Sequence, residues 1–310
     1  MNLLVTGAWK YSEEQKMELA EMNHQVFFQQ METDPLICSY DTVEGVICNG
    51  LFLRHPIEKF HKLRYIQLTS AGYDRVPMEY IKDHGITIYN AGGIYSIPMA
   101  EFAVGGVLQI YKQSRFFYEN QKLCRWEKHR GLQELYGKRV CIVGCGNVGM
   151  ECAKRFSDFG CHVTGITRSL RKVQLMESVY PLDRLEECLT ESDIVILALP
   201  LTAHTAHIMN AERFALMKHG SVFVNIARGA LVDTESLHAA LNGRLRGAVL
   251  DVFEEEPLEK DHPLWSMSNV ILTPHNSFIG DGNQERLNNL IMKNLKSESE
   301  NRHEIYTHLT

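Results

Sequence analysis

The sequence predicts an α/β protein built on two doubly wound parallel sheets. Three observations support this. Short β-type runs alternate with helical patterns along most of the chain. Several of the runs are continuously apolar, such as Ile194-Val195-Ile196-Leu197-Ala198-Leu199, and strands buried on both faces of a parallel sheet need that composition. The runs also fall into two series, and right-handed crossovers make a doubly wound sheet the default topology for each.

The first series places strands at 3–6, 45–48, 65–69 and 86–89. The segment Gly92-Gly93-Ile94-Tyr95-Ser96-Ile97-Pro98 then marks a loop entering a helix at 99–111, because Gly punctuates the turn and Pro tolerates a helix's first turn. A second series follows at 139–143, 162–167, 193–199, 221–226, 248–252 and 270–273. Helical patterns at 148–159 and 234–241 lie between its members. A last helical pattern, 284–295, is expected to pack back on the first series. The expected domains are therefore 1–95 with 280–310, and 96–279. The polar tail 297–310 is expected to fray or pack loosely.

Composition narrows the function classes. The 310 residues include 32 Lys and Arg against 38 Asp and Glu, a net charge of −6, which disfavours a role in neutralising nucleic-acid phosphates. Hydrophobic residues make up 45%, enough for a core and against disorder. No run approaches the roughly 20 apolar residues that span a bilayer, and the start lacks a basic segment followed by an apolar one, so neither a membrane nor a secretory role is expected. The eight Cys form no C-x-x-C pair, which fits reduced thiols in the cytoplasm better than a disulfide framework or zinc site.

The first chemical motif is Gly144-Cys145-Gly146-Asn147-Val148-Gly149, a G-x-G-x-x-G between an expected strand and an expected helix. Gly144 permits a tight turn, Gly146 lets backbone approach a pyrophosphate, and Gly149 lets helix and strand pack closely. The amides of Asn147 and Val148 open the helix and offer its positive end to phosphate. An NAD site usually carries a carboxylate at the end of the next strand. Here the strand ends in Thr167-Arg168-Ser169, with Arg171 and Lys172 following. Charge sign and position favour NADP, with NAD possible.

Four further segments follow expected strands: Asn225-Ile226-Ala227-Arg228-Gly229, Asp251 to Pro257, Thr273-Pro274-His275, and Thr69-Ser70-Ala71-Gly72. Ligands of open α/β sheets bind beyond the carboxyl ends of strands. A guanidinium, a carboxylate and an imidazole would converge there: Arg228, Glu256 and His275. Reduction of a 2-oxo acid needs a cation to grip the carboxylate and polarise the carbonyl, an acid to deliver a proton, and a carboxylate to orient that acid. Taken singly, each residue also fits a surface role. His204 and His207 have no partner at metal spacing, and no metal site is expected.

These motifs resemble those of the D-isomer-specific 2-hydroxyacid dehydrogenases. The resemblance spans about 45–278. It is densest around Gly137-Lys138-Arg139 through Gly149, Leu199-Pro200-Leu201-Thr202 with Thr205, Asn225 to Asp233, Gly247 to Phe253 with Glu256-Pro257-Leu258, and Thr273-Pro274-His275. It implies a flavodoxin-like substrate domain joined to a Rossmann NAD(P)-binding domain, and a homodimer. It implies that Arg228 binds substrate carboxylate and carbonyl, and that Glu256 pairs with the acid–base His275. It further implies that Leu199, Pro200, Thr205, Ile226, Ala227 and Asp251 meet the cofactor. The amides of Ser70, Ala71 and Gly72 would hold the substrate carboxylate. Thr167 stands where many members have Asp, and Pro98 and Met99 stand where many have smaller or β-branched residues. The stretch after Thr273-Pro274-His275 is short, which matches the members without a regulatory domain. The expected activity is NADP-dependent reduction of glyoxylate or hydroxypyruvate. A phosphoglycerate dehydrogenase and a non-catalytic NAD(P)-sensing protein are the alternatives.

Overall fold

A computed structural model describes residues 1–168 and 175–307. The chain divides into two compact units, Met1–Tyr95 with Gly280–Thr310 and Ser96–Ile279. In the first unit, β1 (Asn2–Thr6), β2 (Gln25–Gln29), β3 (Gly45–Cys48), β4 (Tyr65–Leu68) and β5 (Thr87–Tyr89) form a parallel sheet in the order β2-β1-β3-β4-β5. Helices α1 (Glu13–Glu21) and α2 (Met78–Asp83) connect its strands. Alternate residues supply its two faces, as a period of two requires. Leu3, Val5, Ile47 and Tyr65 pack on one side with Trp9 and Leu19. Leu4, Val46, Cys48, Ile66 and Leu68 pack on the other with Ile57 and Phe60.

The second unit opens with α3 (Ser96–Tyr111), continues through α4 (Ser114–Lys122), and then builds a seven-stranded parallel sheet. Its elements run β6 (Arg139–Val143), α5 (Asn147–Asp158), β7 (His162–Ile166), β8 (Ser178–Tyr180), α6 (Leu185–Glu191), β9 (Ile194–Leu197), α7 (Ala211–Leu216), β10 (Val222–Asn225), α8 (Thr234–Leu241), β11 (Gly247–Leu250) and β12 (Val270–Leu272). The strand order is β12-β11-β10-β9-β6-β7-β8. The continuous apolar runs divide between two cores. Cys141, Val143, Val195, Leu197, Phe223 and Leu250 face α6, α7 and α8, while Val140, Ile142, Ile194, Ile196, Val224 and Val249 face α3 and α5. A Cβ on Gly106 would lie 2.5 Å from Val249 Cγ1, so α3 seats against β11 only because that residue is glycine. The sequence starts this helix at 99. The structure starts it at Ser96, with Pro98 inside the first turn, where the missing amide costs no helical bond.

The chain returns to the first unit through α9 (Asn283–Thr307), which runs beyond the expected end at 295 into the polar tail. Leu287, Ile291 and Leu295, spaced four apart, are buried beside Trp9 and Tyr65. Trp9 Nε1 donates to Asn288 Oδ1 at 2.8 Å, and Asn294 Nδ2 donates to Gln67 Oε1 at 2.8 Å. Among the described residues no helix is long and apolar enough to cross a membrane.

Candidate active site

Because each sheet is parallel, all its carboxyl ends lie on one edge, and the predicted site residues sit there. β6 turns into α5 through the glycine motif. Gly144 has φ +109°, and a Cβ on it would lie 2.5 Å from the carbonyl of Ala198. A Cβ on Gly149 would lie 1.9 Å from the Gly144 oxygen. These two glycines close the turn. Gly146 differs: a Cβ there would meet nothing within 4 Å. It is the N-cap of α5, so the first amides of the helix, at Asn147, Val148 and Gly149, have no partner within the helix. This backbone cradle fits a dinucleotide pyrophosphate.

The neighbouring turns complete that edge. Thr167 follows β7 and its amide donates to Tyr180 O at 3.0 Å; Arg168 is exposed beside it. Ser169, Arg171 and Lys172 lie outside the described residues. After β9, Leu199 is buried and Pro200 is exposed. Thr205 shapes this loop: its hydroxyl donates to Pro200 O at 2.8 Å and accepts from the Thr202 amide at 2.8 Å.

After β10, Asn225 builds the turn that presents Arg228. Its Oδ1 accepts from the Ala227 amide at 3.1 Å and its Nδ2 donates to Arg228 O at 3.0 Å. Ile226 and Ala227 are buried, while Arg228 is partly exposed and donates to Ala227 O at 2.7 Å. A Cβ on Gly229 would lie 1.9 Å from the Phe253 carbonyl, so the Arg228 loop lies directly against the loop after β11.

That second loop joins two of the predicted residues. His275 Nδ1 and Glu256 Oε2 are 2.8 Å apart, and Glu256 Oε1 accepts from the Phe253 amide at 3.0 Å. The imidazole is 43% exposed. Its ring meets the Phe278 ring edge to face. Asp251, expected to meet the cofactor, also organises the loop that carries the histidine. The residue is 1% exposed, and its carboxylate accepts from Thr273 Oγ1 at 2.6 Å, the Asn276 amide at 2.7 Å and the Ser277 amide at 2.9 Å. It folds the histidine loop.

Sequence reasoning missed a second histidine–carboxylate pair. His207, with its side chain 53% exposed, lies 2.6 Å through Nε2 from Glu254 Oε1, and Glu254 Oε2 accepts from the amide and hydroxyl of Thr234. This pair ties together the loops flanking Arg228. Its residues are 47 apart in sequence, and no short-range spacing signals their meeting. Among the described residues no cluster of His, Cys, Asp or Glu could hold a metal ion.

In the first unit, the turn after β4 holds Ser70, Ala71 and Gly72. The Thr69 carbonyl accepts from the Tyr95 hydroxyl, the Ser70 carbonyl from the Ala91 amide at 2.9 Å, and the Ala71 carbonyl from Asn90 Nδ2 at 2.6 Å. The Ser70 hydroxyl donates to Gly72 O at 3.1 Å. At the neighbouring end of β3, Glu32 accepts from the amides of Asn49 at 2.7 Å and Gly50 at 2.6 Å, and from the Thr6 hydroxyl at 2.7 Å.

A nucleotide-binding glycine turn, with an arginine and a histidine–glutamate pair on the same sheet edge, defines an NAD(P)-linked oxidoreductase architecture. Comparison with known proteins specifies which. Residues 104–277 match the family model for the D-isomer specific 2-hydroxyacid dehydrogenase, NAD binding domain. The chain is 35% identical over 256 residues to a glyoxylate reductase of Pyrococcus horikoshii, covering 78% of this chain and 75% of that one. It is 36% identical over 248 residues to a D-3-phosphoglycerate dehydrogenase of Methanocaldococcus jannaschii, covering 78% of this chain but only 47% of that longer one. Among solved structures, a D-isomer specific 2-hydroxyacid dehydrogenase of Xanthobacter autotrophicus in complex with NADPH superposes with a TM-score of 0.77 at 27% identity, covering 96% and 95% of the two chains. A D-lactate dehydrogenase of Aquifex aeolicus complexed with NAD and lactic acid gives 0.78 at 25% identity, covering 98% and 97%. The chain belongs to the D-isomer specific 2-hydroxyacid dehydrogenase family.

Proposed function

We propose that this protein reduces a small 2-oxo acid, glyoxylate or hydroxypyruvate, to the D-2-hydroxy acid, with NADPH as the preferred cofactor. The observation that supports a catalytic role over a sensing one is the His275–Glu256 hydrogen bond at a strand end beside the Arg228 loop. A protein that only senses nucleotide has no use for an oriented imidazole. A bound nicotinamide supplies the hydride. Arg228 grips the substrate carboxylate and polarises its carbonyl, as a planar guanidinium does best. His275 delivers the proton to the carbonyl oxygen from Nε2, because Nδ1 is engaged by Glu256. The amides of Ser70, Ala71 and Gly72 bind substrate carboxylate, and the unit containing them is the substrate-binding domain.

An unphosphorylated substrate is supported at the end of β3. There the Glu32 carboxylate already takes the amides of Asn49 and Gly50, so a second anionic group would meet negative charge. The adjoining cavity of about 430 Å³ is lined by Arg54 and Arg75 but equally by Glu58 and Asp74, which leaves no net positive charge. NADPH is supported by Thr167 and the exposed Arg168 at the end of β7, where a carboxylate would repel a 2′-phosphate. Exposed apolar side chains on and after α4 (Phe117, Tyr118, Leu123 and Trp126) support a homodimer, and sedimentation of the purified chain tests it. Eight unbridged thiols support a cytoplasmic setting.

The deciding assay follows loss of reduced cofactor with glyoxylate, hydroxypyruvate and phosphohydroxypyruvate, each with NADPH and NADH. Turnover should favour the two unphosphorylated acids and NADPH. Thr167→Asp with Arg168→Ala should shift the cofactor preference toward NADH by about ten- to a hundredfold, the worth of a charge-assisted hydrogen bond. A native preference for NADH refutes the cofactor assignment, and absence of turnover on any 2-oxo acid refutes the enzyme.

A further inference from the structure

We propose that Asn90 and Tyr95 are positioning residues that aim the amides of Ser70, Ala71 and Gly72 at the substrate carboxylate. The inference rests on reading that loop as the carboxylate cradle, and it identifies what sets the direction of the amides. A trans peptide holds its C=O and its N–H on opposite sides of the chain. The Thr69 carbonyl shares a peptide plane with the Ser70 amide, Ser70 with Ala71, and Ala71 with Gly72. All three carbonyls are met from the 90–95 segment: by the Tyr95 hydroxyl, the Ala91 amide at 2.9 Å and Asn90 Nδ2 at 2.6 Å. The three amides therefore point away from that segment. None of them has a hydrogen-bond partner among the described residues, and the loop lies at the surface.

Two of the three contacts come from side chains and so depend on residue choice. Asn90 is fixed in its orientation, because its Oδ1 accepts from the Gly92 amide at 3.1 Å and leaves Nδ2 for Ala71. Tyr95 packs its ring against the core beside β1 and β4, and burial raises its hydroxyl above the usual phenol range, which keeps it a donor. Tyr95 is also the last residue of the first unit's opening segment, immediately before α3. The loop's direction is thus set from the point where the chain leaves for the second unit.

The test compares glyoxylate with its methyl ester, which keeps the carbonyl and lacks the charge. Tyr95→Phe and Asn90→Ala should each raise KM for glyoxylate about tenfold. The kcat, the KM for NADPH and the KM for the ester should stay near native, and thermal melting should be little changed. The double variant should fall short of the product of the two, because both act on one loop. The proposal fails if KM for acid and ester rise together, which marks a general structural loss, or if neither rises. Ala71→Pro, which deletes one amide, separates that failure from failure of the cradle reading. If it raises KM for the acid while the other two variants do not, the cradle stands and the positioning roles fall. If it leaves KM unchanged with the fold intact, or if the native enzyme does not prefer acid to ester, the cradle reading falls and takes the proposal with it.

Discussion

His275 has φ +51°, in the left-handed region that is uncommon for residues other than glycine. Such backbone persists only where its surroundings over-determine it. Here the His275 amide donates to Asp251 O at 2.8 Å and Thr273 O at 3.0 Å, while the Asp251 carboxylate holds the residues on either side. Glu256 then sets the ring itself through Nδ1. His275→Ala should lower reduction by about 10²–10⁴-fold, the usual worth of a positioned acid, while cofactor titration stays near native. Glu256→Gln keeps an oxygen to accept from Nδ1 but loses the charge that stabilises an imidazolium, so kcat should fall with little change in cofactor affinity. Reduction consumes a proton and oxidation releases one, so in the native enzyme the two directions should respond oppositely to rising pH. Full activity of His275→Ala removes the histidine from the reaction. The pairing of Glu256 with His275 was legible in the sequence because both stand in recognisable motifs. The bonds from Asp251 to Thr273, Asn276 and Ser277 were not, since their partners lie 22 to 26 residues away and no short-range spacing signals them.

At the scale of the element, the β6–α5 turn separates glycines that build the fold from one that leaves room. Gly144→Ala and Gly149→Ala each put a Cβ into backbone at 2.5 Å or closer, and at Gly144 also oppose a φ of +109°. Both should lower the melting temperature and the yield of folded protein. Gly146→Ala meets no neighbour within 4 Å, so it should melt near the native temperature and yet weaken NADPH binding tenfold or more, as about one methyl group intrudes on the pyrophosphate. Equal binding by Gly146→Ala and the native enzyme would take that residue out of the phosphate cradle. The central strands were readable because both of their faces are buried. The strands missed from the sequence, β2 and β8, are sheet edges. Gln25–Gln29 has only three apolar residues, Val26-Phe27-Phe28, between two glutamines, with four of its five positions at least partly exposed, and Ser178–Tyr180 has only three residues, so neither gives the long, fully buried apolar run that marks a central strand. Helix α1 does carry a local signal, the reciprocal cap between Ser12 and Gln15, but its apolar face is too weak to stand out.

Across the whole molecule, buried weak acids set an alkaline limit. Burial pushes the Cys152 thiol from an ordinary value of 9.0 up to about 12. Burial, with the charge of Asp193 adding to it, pushes Cys161 up to about 11. Burial likewise raises Cys48, Tyr65 and Tyr111. Each folded group holds its proton more tightly than the unfolded chain does. Its contribution is therefore complete below the unfolded value and is lost as pH rises toward the folded one. Denaturant midpoints should be flat from pH 7 to about 8.5 and fall between about 9 and 11. Cys152→Ala should flatten that fall, and a midpoint independent of pH across the range would refute the assignment. The path of the chain has a different consequence. Trp9, at the beginning, is hydrogen-bonded to Asn288, near the end, and Ser96–Ile279 is uninterrupted between them. On the ribosome, everything the unit Ser96–Ile279 needs has therefore been made before the first unit receives its last helix. Residues 1–95 emerge before the segment Ser96–Ile279 and are completed after it, with Leu3, Trp9 and Tyr65 awaiting Leu287, Ile291 and Leu295 through the whole synthesis of the segment between.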